Sequence, residues 1–476
     1  MNKKESVALF FGKVLLVLVL GFLACSRADS EKPNFIFILI DDLGYKDVGY
    51  MGPEYYKTPH IDQLASEGMI FTQAYTNAAN CAPTRASLLS GQYSPRHGVY
   101  TVGVSDRGKT QDRRIIPVVN SKTVPLENIF ISEALHDAGY VSAAIGKWNV
   151  GNTPEQQGFD VGVSMESLGF KRGHFNEQGE YLADRLTDEA VKFIQQNAEN
   201  PFFLYLAHYG VHTPIDAPAE MIAKYTMLEE EGCYKSPVYA AMIESIDKSV
   251  GRIISTLEEL NIDKNSVVTF FSDNGGYGPI TCMDPLRGSK GMFYEGGIRV
   301  PMIVKWPGKI SGGSVCHKPV IGIDFYPTFL DIAGISRPEN KILDGISIYP
   351  LLQGSGSLSR ESIFWHFPAY LGAYNGGMED ARDTIFRTRP VSVIRKDNWK
   401  LLLFYEEWVL DGGRDSIQSN NSIELYNLEE DLGEKVNLAN INTEKRDELL
   451  KDLFNWLVEL KAPLPNEPNS DYKPRN

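Results

Sequence analysis

From residue 33 onward, short β-branched and aromatic runs alternate with segments of helical periodicity, and that alternation leaves few folds open. Residues 34–40 read Asn-Phe-Ile-Phe-Ile-Leu-Ile, with none of the polar alternation of a half-exposed strand. Such a run suits a strand buried on both faces, and hence a mostly parallel central sheet sandwiched by helices. Further strands are expected at 141–145, 202–207, 267–271 and 301–305, and helices at 58–67, 126–138, 183–197 and 239–260. Near residue 350 the character changes. Glycine and serine crowd 353–359, strand patterns follow at 391–395 and 400–405, and a last helix is expected over 443–460. This divides the chain into a large α/β domain at 33–360 and a small α+β domain at 361–476.

Residues 1–24 are laid out as an export signal: Lys3 and Lys4, then an apolar run over 7–23 broken only by Lys13, then small residues meeting Cys25. The stretch is nearly long enough for a retained membrane anchor. Phe22-Leu23-Ala24-Cys25 resembles a bacterial lipoprotein signal, which implies lipidation of Cys25, a tether at 25–32, and a place at the cell surface, in the outer membrane or in the periplasm of a bacterium. Membrane contact would then be through the lipid alone. The 47 basic and 61 acidic residues give a net charge of −14, which leaves no footprint for nucleic acid. A site that handles an anion must therefore be locally positive against the global field. Five cysteines, at 25, 81, 233, 282 and 316, are too few for a disulfide framework and lack zinc-site spacing, so each is read singly.

In open α/β sheets ligands sit beyond the carboxyl ends of the strands. Four expected strands run directly into polar residues: Asp41-Asp42, Ser272-Asp273-Asn274, Gly146-Lys147, and a loop with His208 and His212. Asp41, Asp42, Asp273 and Asn274 offer the oxygen donors that Ca²⁺ or Mg²⁺ prefers. Taken singly, an Asp-Asp pair serves equally well as a helix cap and Asp-Asn-Gly-Gly as a turn.

Cys81-Ala82-Pro83-Thr84-Arg85, followed by Ala86-Ser87-Leu88-Leu89-Ser90-Gly91, resembles the signature of the type I, formylglycine-dependent sulfatases. The likeness runs on through Gly146-Lys147-Trp148-Asn149-Val150-Gly151, His212-Thr213-Pro214, Gly288-Ser289-Lys290-Gly291 with Glu295-Gly296-Gly297, and Glu424-Leu425-Tyr426-Asn427-Leu428 leading to Asn437-Leu438-Ala439. It covers residues 33 to about 439 and is similar to bacterial carbohydrate sulfatases, such as those acting on ulvan or carrageenan.

The resemblance implies an alkaline-phosphatase-like fold and a hydrolase of sulfate esters on a sulfated polysaccharide or its oligosaccharides, of the ulvan, carrageenan, fucan or glycosaminoglycan class. It implies that a maturase converts Cys81 to formylglycine (3-oxoalanine). One hydroxyl of the hydrate attacks sulfur and the other, once deprotonated, expels sulfate. One Ca²⁺ would be held by Asp41, Asp42, Asp273 and Asn274 together with residue 81. Arg85 would hold the hydrate, Lys147 and Lys290 would bind sulfuryl oxygens, and His212 would protonate the leaving oxygen. His97 and His366, the latter in Trp365-His366-Phe367-Pro368-Ala369-Tyr370, are candidate substrate contacts. Asn149 departs from the family's histidine, which accepts a proton during sulfate release; an amide cannot. Either another group such as His208 takes over, or release is slow, or the site is inactive. The rivals are a phosphomonoester or phosphonate hydrolase of the same superfamily and a catalytically impaired sugar-binding lipoprotein.

Overall fold

The computed structural model describes residues 32–229, 232–374 and 380–475. The expected signal at 1–24 and Cys25 lie outside the described residues.

Strand β1 (Asn34–Ile40) is buried along its whole length. Successive side chains of a strand point to opposite faces. Ile36, Ile38 and Ile40 accordingly enter one apolar cluster and Phe35, Phe37 and Leu39 another. With β2 (Met69–Phe71), β3 (Val141–Gly146), β4 (Val161–Val163), β5 (Phe202–Ala207), β6 (Ser266–Ser272), β7 (Met302–Lys305) and β8 (Ser314–Cys316), it builds an eight-stranded sheet in the order β8-β2-β7-β6-β1-β5-β3-β4. Only β7 runs antiparallel to its neighbours. Helices α1 (Pro59–Glu67), α2 (Cys81–Ser90), α3 (Leu182–Asn197), α4 (Pro237–Glu259) and α5 (Phe325–Ala333) cover it, with α1, α3 and α4 on the β1 isoleucine face and α2 and α5 on the phenylalanine face.

A second, antiparallel sheet contains β9 (Ser362–Phe367), β10 (Val391–Lys396), β11 (Trp399–Phe404) and β12 (Ile423–Asn427) in sequence order, and α6 (Thr443–Glu459) packs on it. Its core is continuous with Met292, Phe293, Tyr294 and Ile298, the segment directly after Lys290.

Two expectations need correction. The helix expected over 126–138 is confined to Ile131–His136, because the Glu133 carboxylate caps the Phe130 N–H at 2.6 Å and Asn128 is held by Lys341 and Gln92 instead. Cys233 and Cys282 form a disulfide across a separation of 49 residues, so these two cannot be read singly. The fold brings their Cα atoms to 6.1 Å, which spacing along the chain does not reveal. Among the described residues no helix is long and apolar enough to cross a membrane.

Candidate active site

The four strands singled out by their polar ends are four consecutive neighbours in the sheet, β6-β1-β5-β3. Register does the rest. Ile40 lies opposite Ser272, so Asp41-Asp42 emerges beside Asp273-Asn274, and Gly146 lies opposite Ala207, so Lys147 emerges beside His208. Gly146 has φ +106°, and a Cβ there would meet the Ala207 carbonyl oxygen at 2.0 Å. Only glycine permits that close exit from the sheet.

The carboxylates beyond β1 and β6 are fully buried and densely tied. Lys147 Nζ donates to Asp41 Oδ2, and Lys290 Nζ to Asp42 Oδ2 at 2.6 Å. Arg85 donates to Asp273 Oδ2 from Nε at 3.0 Å and from its terminal nitrogen at 2.7 Å, and to the Lys147 carbonyl at 2.7 Å. It thereby clamps the ends of β6 and β3. Burial alone would raise Asp41, but Lys147, then His212, Arg85 and Lys290, hold it below the usual carboxylate range. Burial and then Asp41 push Asp273 up, to about 7, against the pull of Arg85. Burial works against the ammonium of Lys147 and of Lys290, yet Asp41 and Asp42 keep both strongly protonated.

Two buried oxygens in this cluster, Asp41 Oδ1 and Asn274 Oδ1, have no hydrogen-bond partner, although Asn274 Nδ2 donates to Asp42 Oδ1 at 2.8 Å. Ligand atoms of Asp41, Asp273 and Cys81 lie within 4.8 Å of one another. Buried acceptors left unsatisfied are rare and need a reason. An all-oxygen set with orphaned acceptors fits a hard divalent cation, which would also relieve the repulsion that raises Asp273.

Cys81 opens α2, whose ten residues are all buried. At the helix start the first N–H groups have no partner inside the helix and the dipole favours negative charge. The Asn149 amide points at the sulfur, Nδ2 to Sγ 3.7 Å, and the residue has φ 58°, a conformation asparagine tolerates. Cys81 Sγ stands where the oxygens of a modified residue 81 would be. His212 Nδ1 donates to the Thr213 carbonyl at 2.6 Å, which leaves Nε2 facing Asp42 Oδ2 at 3.8 Å. His174 Nε2 donates to the His212 carbonyl at 3.0 Å and braces that loop.

These groups open on a cavity of about 740 Å³ lined also by Tyr209, Tyr277 and Tyr374. Arg107, Lys147, Lys171, Arg172, Lys290 and Arg387 line it, and among the described residues no carboxylate does. A chain with net charge −14 thus has a cationic cavity, the local condition an anion requires.

Some candidates are not brought there. His97 is buried beneath α2: Nδ1 accepts from the Val99 N–H, Nε2 donates to Ser87 Oγ at 3.0 Å, and burial pushes its pKa down to about 3. His366 is enclosed between Ser392 Oγ and the Pro463 carbonyl and is pushed down to about 4. His208 bonds Ser249 Oγ at 2.9 Å, is fully buried and does not line the cavity, so it cannot replace a base at position 149. The 365–370 segment is interior, and the cavity wall begins just after it, at Leu371, Ala373 and Tyr374. His174, Arg107 and Arg387 carry no motif that sequence reasoning could have used.

A mostly parallel sheet between helices, with acidic, imidazole and cationic groups beyond its strand ends and around a buried helix start, defines an alkaline-phosphatase-like hydrolase. The sulfatase family pattern matches residues 33–335, and that of the N-sulphoglucosamine sulphohydrolase C-terminal region matches residues 289–463. The chain belongs to the sulfatase family and is a sulfuric ester hydrolase. It is 32% identical to a sulfatase of Formosa agariphila over 97% of this chain and 95% of that one. It is also 32% identical to the N-acetylgalactosamine-6-sulfatase of Canis lupus familiaris, covering 74% and 72%. Among solved structures, Ps i-CgsB in complex with k-i-k-neocarrahexaose has TM-score 0.71 and 28% identity, covering 93% and 94%. A phosphonate monoester hydrolase from Silicibacter pomeroyi, 18% identical with TM-score 0.65 over 90% of this chain and 96% of its own, shares the fold alone.

Proposed function

We propose that this sulfatase removes sulfate from a sulfated polysaccharide or its oligosaccharides, using formylglycine made from Cys81 by a maturase and one Ca²⁺ held by Asp41, Asp42, Asp273 and Asn274. The observation that carries the reading is the convergence of Cys81, an oxygen cluster with orphaned acceptors and a cavity lined by six cationic side chains. The carbohydrate substrate rests on the relatives: one is described as an N-acetylgalactosamine-6-sulfatase, and one structure was solved with a neocarrahexaose. Formylglycine supplies a two-hydroxyl nucleophile and Ca²⁺ a Lewis acid.

The chain's own residues do the remaining work. Lys147 and Lys290, both held charged, meet sulfuryl oxygens, and with their carboxylate partners neutralised by a cation their charge faces the substrate. The α2 start adds N–H groups on the same side. With Nδ1 committed to the Thr213 carbonyl, His212 exchanges protons with the cavity only through Nε2, the atom placed to protonate a leaving alcohol. Arg85 holds the strand ends together.

The test is hydrolysis of matched sulfate and phosphate esters by the full chain, with mass spectrometry of the peptide containing residue 81. Sulfate esters should be preferred, sulfur should be lost from residue 81, and Cys81→Ala should fold yet lose at least about 10³-fold in activity. Chelation should abolish turnover and Ca²⁺ restore it. Preference for phosphate would move the protein to the phosphomonoesterase side of the superfamily. Full activity from an intact thiol after exhaustive chelation would sink the reading.

A further inference from the structure

Lys147 and Lys290 have a task in the proposed function, and of the four other cations that line the cavity two, Arg107 and Arg387, are set side by side. Arg107 lies in a turn that an isolated bridge pairs, through Asp106, with Tyr370. The next residue packs against the neighbour of Arg387, since a Cβ on Gly108 would meet Phe386 Cε1 at 2.6 Å. Arg387 sits on the short hairpin of Leu371–Gly372 and Phe386–Thr388, beside Gly291, whose Cβ would approach its terminal nitrogen at 3.4 Å. Two guanidiniums from residues 280 positions apart are thus set on one wall, next to the loop carrying Lys290.

Both are held in place. The Arg113 guanidinium gathers the carbonyls of Asp106 and Gly108 at 2.5 and 2.9 Å and fixes the turn, and Arg107 itself donates to the Val102 carbonyl. Arg387 donates from Nε to the Gly372 carbonyl at 2.9 Å and lies 4.0 Å over the Tyr374 ring, while the Tyr374 hydroxyl bonds the Lys290 carbonyl. Neither has a carboxylate partner among the described residues. Elsewhere in the chain several sheltered arginines do have a carboxylate, Arg85 with Asp273, Arg96 with Asp344, Arg299 with Glu295, Arg360 with Asp324 and Arg389 with Glu406, whereas the buried Arg395 bonds the neutral oxygens of Gln73, Tyr75 and the Asp397 carbonyl. Burial and the charge of Arg387 depress the pKa of Arg107. Like charges facing each other in a partly desolvated wall are unfavourable unless an anion sits between them. A guanidinium fork suits a planar carboxylate or a sulfate equally.

We infer that Arg107 and Arg387 form a second anion subsite, which recognises a carboxylate or sulfate on the glycan other than the sulfate being cleaved. This deepens the proposed function and rests on it: the substrate is a polyanion with a second anionic substituent close to the scissile one, and its recognition separates a sulfated polymer from an isolated monosulfate.

The test is equilibrium binding, so it does not depend on turnover. Cys81→Ala protein, full length, is titrated calorimetrically with galactose and N-acetylgalactosamine probes of three kinds: monosulfated, disulfated, and monosulfated with a joined glucuronate. The second anion should tighten binding about ten-fold. In Arg107→Met and Arg387→Met backgrounds, which keep the aliphatic stem, that gain should fall to within about two-fold. Gain from the disulfate alone identifies sulfate as the partner, and gain from the glucuronate alone identifies a carboxylate. No gain from either, or a gain that survives in both variants, overturns the subsite. Wild-type protein assayed on the same sugars reports separately on the sulfatase reading. Absence of sulfate release there would strike that reading and leave the binding comparison standing.

Discussion

Asn149 places an amide donor 3.7 Å from the sulfur of Cys81, at a point where the family's histidine would accept a proton. The two half-reactions draw on different groups. In the proposed mechanism, departure of the alcohol would draw a proton from His212 Nε2, whereas freeing sulfate would need a proton removed near residue 81, and His208 is walled off against Ser249. Loss of general-base help is typically worth ~10²–10⁴-fold, enough to make sulfate release rate-limiting. Rapid mixing should therefore show a burst of alcohol, about one per active site, before a slow steady rate. Histidine also tolerates the left-handed backbone at this position, so Asn149→His should fold, raise the steady rate and shrink the burst. Absence of a burst together with an unimproved variant would show that asparagine suffices.

One scale up, a buried lysine ties the C-terminal sheet to the segment that follows the active-site loop. Lys400 of β11 is fully buried and bonds Glu295 at 3.0 Å and Glu434 at 2.9 Å, while the Glu295 N–H bonds Glu434 at 2.6 Å. Lys400, Arg299 and Arg395 hold Glu295 low despite its burial, and burial pushes Glu434 up, to about 7. Removing one member of such a group strands the others, so Lys400→Met should lower unfolding free energy by about 3–5 kcal/mol in denaturant titrations. A change below ~1 kcal/mol would mean the lysine is dispensable. Strands of this kind account for most of what could be read from the sequence. Apolar runs that stop abruptly at polar residues marked β1, β3, β5 and β6 closely, and because their register is nearly flush, the residues at their ends were also the residues of the site. What stayed hidden is what only tertiary contact decides. The helix start at Ile131 depends on the Glu133 cap, Cys233 finds Cys282 across the fold, and Arg107 and Arg387 come to line one cavity where a turn leans on a hairpin. His97 follows the helix that carries residue 81 and His366 lies at the expected domain junction, yet each is spent on interior hydrogen bonds.

For the molecule as a whole, three imidazoles sealed in the interior couple stability to pH. Burial depresses His97 to about 3 and His208 and His366 to about 4, against about 6.5 in an unfolded chain. Between those values the unfolded chain binds protons that the folded chain refuses, so their contribution is complete above pH ~6.5 and fades as pH falls towards ~4, on the order of 3 kcal/mol for each. Asp47 and Asp247, both raised to about 6 mainly by burial, run the other way. The signature is therefore differential: His366→Gln should show a shallower loss of unfolding free energy between pH 7 and 5 than the parent. Parallel curves would mean that His366 does not titrate on unfolding. The burial of α2 bears on timing as well as on packing. Residue 81 is only 4% exposed in the finished fold, and β3, β5 and β6, which bring up the groups around it, all follow it in the sequence. If residue 81 is converted as proposed, burial this complete would favour conversion before those strands close over the thiol, while the chain is still emerging or in transit.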